Sequence, residues 1–224
     1  MALASIFDRR PPDDSLETIA YDVERQGYAV MPDFITAVEV DALLQVFHGL
    51  RQHEDALQPA GIGRGDDYQT NNFVRQDWIH WIDGTTAPTQ LFLDRMRDLQ
   101  VTLNRRLFMG LFDYEAHFAL YPEGAFYKKH IDAFQGHSNR RLSTVLYLNY
   151  DWQPTDGGEL RCYDPDEPNQ VLFDLPPAAG TLVVFESERF WHEVLPAKRR
   201  RFSVAGWFRI NTSTSSRVDP PHWY

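Results

Sequence analysis

The chain has 224 residues, a formal net charge of −10, and 43% hydrophobic and 14% aromatic content. That is apolar material for one sizeable core, while the acidic balance argues against nucleic-acid binding, which needs a basic face to neutralise phosphates. Cys162 is the single cysteine, which excludes a disulfide framework or a thiolate zinc site and points to a reducing, cytoplasmic setting. No apolar leader precedes Asp8 and no apolar run of about 18 residues occurs, so neither export nor a membrane span is expected.

Leu16, Ile19, Ala20 and Val23 recur at helical spacing, and Gly27 stops that first helix. "YAVMPDFI" reads as a short strand, and Val40, Leu43, Leu44 and Phe47 mark one face of a second helix. Residues 53–76 are polar, carry three glycines and lack an apolar period; they read as a long exposed loop, a length more often functional than decorative. Residues 85–110 make the strongest helix, with Pro88 near its start, Phe92, Met96, Leu99 and Leu103 on one stripe, and Gly110 near its end.

Beyond Gly110 the pattern changes to short Val-, Leu-, Tyr- and Phe-rich segments separated by turn residues such as Gly157-Gly158, Asp164-Pro165 and Gly180. Seven or eight strands at this spacing predict an antiparallel sandwich or barrel with the three helices packed on one outer face, a mainly β fold with flanking α. The expected organisation is a single domain over 1–212, with helical support at 14–110 and a strand core at 111–212, followed by a loose tail at 213–224.

His-x-Asp occurs twice, at His53-Glu54-Asp55 and His130-Ile131-Asp132, where composition alone makes about one expected. The first lies at a polar helix end entering a loop and reads as solvated surface. The second lies on or just leaving a strand, where positions i and i+2 point to the same side, so both side chains can reach one point. A third ligand is sought among His117, His137 and His192, the other histidines of the strand region; His48 and His80 belong to the helical or loop half and His222 to the tail. His192 has the strongest case, because it opens a strand returning directly after "GTLVVFES". Two imidazoles and a carboxylate leaving one face open suit non-haem Fe(II); the competing reading is a buried histidine satisfied by a backbone carbonyl.

Arg201, nine residues after His192, shifts the balance. It ends a run of three arginines where an apolar strand begins, and Ser203 shares its face. A guanidinium there can fork onto a carboxylate, with the serine hydroxyl as a further donor. An iron triad beside a carboxylate clamp describes a site for a 2-oxo diacid.

At this level of detail "YPEGAFYKKHID", "VLYLNYDW", "GGELR", "FES" and "HEVLPAKRRRFSVAGWF", together about ninety residues between Tyr121 and Phe208, resemble the core of 2-oxoglutarate- and Fe(II)-dependent prolyl hydroxylases. The likeness is to the oxygen-sensing type that acts on hypoxia-inducible factor, and to its bacterial relatives that hydroxylate a proline of elongation factor Tu. The resemblance implies a double-stranded β-helix (jelly-roll) fold with iron on His130, Asp132 and His192. It implies that Tyr147 and Arg201 hold the far carboxylate of 2-oxoglutarate, with Tyr121, Ser143 and Ser203 in the same pocket. It also implies substrate-side roles for Arg75, Asp77, Arg140, Tyr127 and Trp207, and a mobile covering loop at about 58–76. Here Gln76 stands where the oxygen-sensing type carries Gly, which would stiffen that hinge. Phe126, Phe134, Phe190 and Trp191 are candidates for an aromatic rim, shared between packing and substrate contact.

The implied chemistry is O2-dependent hydroxylation of a prolyl residue in a protein, with elongation factor Tu as partner, ascorbate as reductant, and a monomer that touches neither nucleic acid nor membrane. The alternatives are a hydroxylase of free amino acids or another small molecule, an oxygenase acting on alkylated nucleic acid, and a non-catalytic 2-oxoglutarate- or oxygen-sensing module.

Overall fold

The structure, a computed structural model, describes residues 13–51, 57–61, 73–133 and 139–213. Within them lie three α-helices, α1 (Asp13–Gln26), α2 (Ala37–Leu50) and α3 (Ala87–Leu107), and a short 3-10 helix at Pro154–Asp156. The strands are β1 (Tyr28–Met31), β2 (Gln58–Pro59), β3 (Trp78–Trp81), β4 (Leu111–Tyr121), β5 (Tyr127–His130), β6 (Arg140–Tyr147), β7 (Leu160–Tyr163), β8 (Val171–Leu175), β9 (Leu182–Glu186), β10 (His192–Val194) and β11 (Arg201–Ile210). They form a seven-stranded sheet in the order β1-β9-β6-β11-β4-β3-β2 and a four-stranded sheet in the order β5-β10-β7-β8. Every pairing between these strands is antiparallel, as expected for the jelly-roll.

Alternation along the strands divides the interior into two cores. Leu120, Phe118, Ala116 and Tyr114 of β4, with Val204 and Phe208 of β11, meet Phe47, Phe92, Met96, Leu99 and Leu103 of the helices. The opposite face of the same sheet presents Ala119, Tyr121, Tyr147, Val183 and Phe185 toward Leu160, Cys162 and Val194 of the small sheet. Fully burying each of the Leu, Val, Met and Phe side chains among them contributes about 1.5–3 kcal/mol, so both faces of the large sheet are held. The functional groups grow from the second layer.

The helices start where local chemistry says they should. Thr36 caps α2 in a reciprocal box with Glu39, whose carboxylate accepts from the Thr36 amide at 2.8 Å. The other Glu39 oxygen accepts from Arg95 Nε of α3 at 2.9 Å, so the cap also ties two helices together. Pro88 lies in the first turn of α3, as its lack of an N–H allows. The end of α3 differs from the sequence expectation: Phe108, left-handed at φ 53°, forms the cap, and Gly110 lies beyond it in the turn into β4.

Other expectations are also revised. The segment before residue 111 is more than helical support, since β1 pairs with β9, and β3 with β4, inside the large sheet. His80 therefore lies on a strand and not in a helix or loop. β8, which pairs with β7, goes beyond the expected strands; its residues are largely exposed, so the apolar signal is weak. Phe190 is 1% exposed and packs on Tyr28 and Phe185, which makes it core and not rim. His53, Asp55, Phe134, His137 and His222, residues 62–72 of the expected loop and nearly all of the expected tail lie outside the described residues. Among the described residues no helix is long and apolar enough to cross a membrane.

Candidate active site

His130 ends β5 and Asp132 lies two residues on, in the bend that leaves the strand, and the two meet at one point. β10 runs antiparallel to β5 with His192 directly opposite His130, and their ring centroids are 4.2 Å apart. His130 Nε2 lies 3.5 Å from Asp132 Oδ1 and His192 Nε2 lies 3.8 Å from Asp132 Oδ2. One ligand atom from each of the three residues falls within 4.8 Å of the others, and among the described residues this is the His/Cys/Asp/Glu cluster suited to a metal.

Each imidazole is oriented by its own backbone. His130 Nδ1 donates to the Lys128 carbonyl at 2.8 Å, and His192 Nδ1 to the Phe190 carbonyl at 3.0 Å. A carbonyl only accepts, so both protons sit on Nδ1 and both Nε2 lone pairs face the shared point. Burial, with His130 nearby, lowers the His192 pKa to about 4, which keeps it neutral as a ligand must be. Burial works against the charge of Asp132, while the Arg140 guanidinium favours it. Ser143 Oγ donates to Asp132 Oδ2 at 2.6 Å, and Trp207 Nε1 donates to the same oxygen at 3.0 Å.

The clamp end lies on neighbouring strands of the large sheet. Arg201 opens β11 opposite Tyr121 of β4, and Ser203 lies opposite Ala119 on one side and Tyr147 on the other. Arg201 is 1% exposed; its Nε donates to the Gly158 carbonyl at 2.9 Å and Nη1 to Ser203 Oγ at 3.3 Å. Its guanidinium carbon is 5.1 Å from the ring centres of both Tyr121 and Tyr147. Burial raises the pKa of both phenols, so each remains a protonated donor. Among the described residues the Tyr147 hydroxyl is buried without a hydrogen-bond partner.

These features test whether Fe(II) and 2-oxoglutarate suit the residues present. The donor set is the two-histidine, one-carboxylate set of non-haem iron, with both tautomers already fixed. A buried phenol with no partner, beside a buried arginine, awaits an acceptor such as a carboxylate. The residues fit both groups, with His130, Asp132 and His192 for the metal and Arg201 and Tyr147 for the far carboxylate.

The residues expected on the substrate side are tied together. Arg75 forks onto Asp77 with bonds of 2.6 and 2.8 Å, and Asp77 is fully buried, so this pair is internal. Arg75 also stands 4.8 Å from the Tyr127 ring, which stacks on His130 at 3.6 Å. Arg140 lies 3.5 Å over the Trp207 ring and pairs with Glu115 at 2.8 Å. Trp207 thus has a bond to Asp132 in addition to any contact with substrate.

Two contributors escaped the sequence reading: Ser187 shares a 2.8 Å hydroxyl contact with Ser143, and Gly158 supplies the carbonyl behind Arg201. His117, weighed in the sequence as a third ligand, lines the pocket without joining the metal cluster. In strand alternation it shares a face with Ala119 and Tyr121.

Comparison with known proteins agrees with this geometry. The model of the 2OG-Fe(II) oxygenase superfamily matches residues 116–209. A prolyl-4-hydroxylase from Pseudomonas putida is 41% identical, with 87% of this chain and 98% of that one covered and a TM-score of 0.77. The chain belongs to the 2OG-Fe(II) oxygenase superfamily. The hypoxia-inducible factor prolyl hydroxylase of Caenorhabditis elegans is 28% identical over 209 residues, 86% of this chain, which spans 28% of that relative's length. A Trichoplax adhaerens prolyl hydroxylase, solved in complex with a hypoxia-inducible factor oxygen degradation domain peptide fragment, shares the fold at 24% identity and a TM-score of 0.76, with 87% of this chain and 88% of that one covered. Membership of this superfamily implies Fe(II), 2-oxoglutarate and O2.

Proposed function

We propose that the protein hydroxylates a prolyl residue of a protein or peptide chain, with O2 and 2-oxoglutarate consumed and succinate and CO2 released. The observation that carries this is the Tyr147 hydroxyl, without a hydrogen-bond partner among the described residues, beside buried Arg201, which lines one pocket with His130, Asp132 and His192. The prolyl part rests on the likeness to the Pseudomonas putida prolyl-4-hydroxylase, which extends over 98% of that chain.

Bound Fe(II) would supply the redox chemistry with O2. The chain's own residues do the positioning. Arg201 and Tyr147 grip the far carboxylate of the cosubstrate, which sets the reach of its 2-oxo end toward the metal ligands. Asp132, kept ionised and oriented by Ser143 and Trp207, offers the anionic ligand. Tyr121, Phe185, Leu160 and Val194 line the pocket and exclude water around the reacting groups.

For the substrate we favour a loop of elongation factor Tu, supported by the bacterial-type resemblance of the motifs from Tyr121 to Phe208. Arg75, Asp77, Arg140, Tyr127 and Trp207 are assigned to that side of the site, and ascorbate to keeping the iron reduced. The enzyme is taken to act as a cytoplasmic monomer. The test is competition between intact elongation factor Tu, its proline-containing switch-loop peptide and free proline, read by succinate release and a +16 mass on proline. Modification of the protein or peptide is the expected result. Efficient hydroxylation of free proline with neither chain modified would instead favour the amino-acid hydroxylase.

A further inference from the structure

His117 is 1% exposed and lines the same pocket as the metal cluster. It stands on β4 opposite Ala205, two residues from Ala119 and four from Tyr121, so it is separated from the clamp by two steps of alternation. Its Nδ1 is 3.1 Å from the Phe118 carbonyl oxygen. That oxygen can only accept, so the proton is on Nδ1 and Nε2 is left as an acceptor. Nε2 is buried and has no hydrogen-bond partner among the described residues. Native interiors rarely leave such an atom unmet unless it has another use.

Its surroundings indicate what that use is. Trp81 stands edge-on to the ring at 5.2 Å, and Trp207 lies 5.5 Å away. Burial first, then the charge of Arg75, lower the His117 pKa to about 4, with Asp77 and Arg140 also acting on the ring. The imidazole is therefore neutral near pH 7 and faces the groups assigned above to the substrate side. 2-Oxoglutarate in its dianionic form carries only acceptor oxygens and offers this nitrogen nothing. A polypeptide does, because every residue except proline brings an N–H.

We infer that His117 Nε2 accepts a hydrogen bond from a backbone N–H flanking the target proline, which makes His117 a specificity-determining residue for a polypeptide substrate. The inference rests on the prolyl hydroxylase reading and adds how the site distinguishes a chain from an isolated ring. It also gives a reason for a histidine rather than an aliphatic side chain at this place. An aliphatic residue would fill the space but leave the substrate's N–H buried and unpaired.

The experiment uses the Fe(II) enzyme with the elongation factor Tu switch-loop peptide and two analogues, N-methylated at the residue before or the residue after the proline. Wild type, His117→Leu and His117→Gln are compared for KM, kcat, 2-oxoglutarate affinity and melting temperature. His117→Leu is expected to raise the peptide KM roughly ten- to a hundredfold, with kcat and 2-oxoglutarate affinity little changed. Gln, which places an acceptor oxygen at similar reach, should recover part of the loss. One methylation should weaken wild type by a similar factor and cost the Leu variant nothing further. A wild-type enzyme indifferent to both methylations overturns the inference even if the Leu variant does not fold, as does an unchanged KM in a folded Leu variant. If wild type leaves the unmethylated peptide, elongation factor Tu and free proline all untouched, the prolyl reading itself fails and this inference falls with it.

Discussion

Trp207 reaches Asp132 from the opposite sheet, with its indole N–H 3.0 Å from Oδ2, while Arg140 covers the outer face of the same ring at 3.5 Å. The carboxylate therefore already receives two donors, Trp207 and Ser143, before any metal binds. Such outer partners set the direction of a ligand's lone pairs and typically change metal affinity by about 10–100-fold. Trp207→Phe keeps the ring and loses only the donor. It should weaken Fe(II) binding within that range, measured by anaerobic titration, while the melting temperature changes little. Unaltered affinity would mean the bond is incidental to the metal site.

Replacing His130 or Asp132 with Ala should abolish Fe(II)-dependent 2-oxoglutarate turnover. His53→Ala and Asp55→Ala, at the other His-x-Asp, should not. Comparable loss at both places, in a succinate-release assay, would contradict the assignment of the cluster.

Arg201 and Arg200 are adjacent in sequence and opposite in circumstance, one buried and one exposed. Arg201→Lys keeps the charge but gives up the fork that meets Gly158, Ser203 and a ligand carboxylate. 2-Oxoglutarate should bind more weakly by about 1.5–3 kcal/mol, and Arg200→Lys should be close to silent. Calorimetric titration of the two variants separates these outcomes. Equal effects would place the clamp elsewhere.

Gly158 holds Arg201 from behind. At φ +73° it adopts a left-handed conformation, and a Cβ there would lie 2.7 Å from the Ala197 Cβ and 3.1 Å from Trp152. Gly158→Ala should destabilise the fold by about 1–3 kcal/mol and displace the carbonyl that Arg201 Nε uses. Both a lower melting temperature and a weaker affinity for 2-oxoglutarate are expected. A stability loss with no change in affinity would deny the carbonyl its positioning role.

Acid should expose the buried state of His117. Its folded pKa is about 4, against about 6.5 in an unfolded chain. Between those values the unfolded chain binds a proton that the folded one refuses, so stability is retained above about pH 6.5 and falls as the pH drops toward 4. The loss is on the order of 3 kcal/mol for this one residue. His192 shifts in the same direction and is present in both proteins, so comparison of wild type with His117→Leu isolates His117. Urea midpoints at pH 7 and pH 4.5 should fall less in the variant.

Pattern and composition in the sequence were enough for the three helices and most of the strand core, because residues such as Phe92, Met96, Leu99 and Leu103 repeat with the helix and "LSTVLY" is a short run rich in strand-forming residues. Local spacing also suggested that His130 and Asp132 reach one point, although Asp132 lies in the bend just beyond β5. What it could not say was which distant histidine completes the set, since that depends on antiparallel register: His192 meets His130 because β10 pairs with β5 at that residue. Register likewise decides that Arg201 faces Tyr121 while Arg200 faces water, although their residue types are identical. The strand at β8, the edge strand β2 and its neighbour β3 were illegible for a related reason: they are short or exposed, held by backbone pairing and not by an apolar pattern of their own. His117 shows the same division most clearly. Its place on the inner face follows from alternation, but its acceptor nitrogen is set by a carbonyl one residue away and by burial between sheets, which no linear pattern encodes.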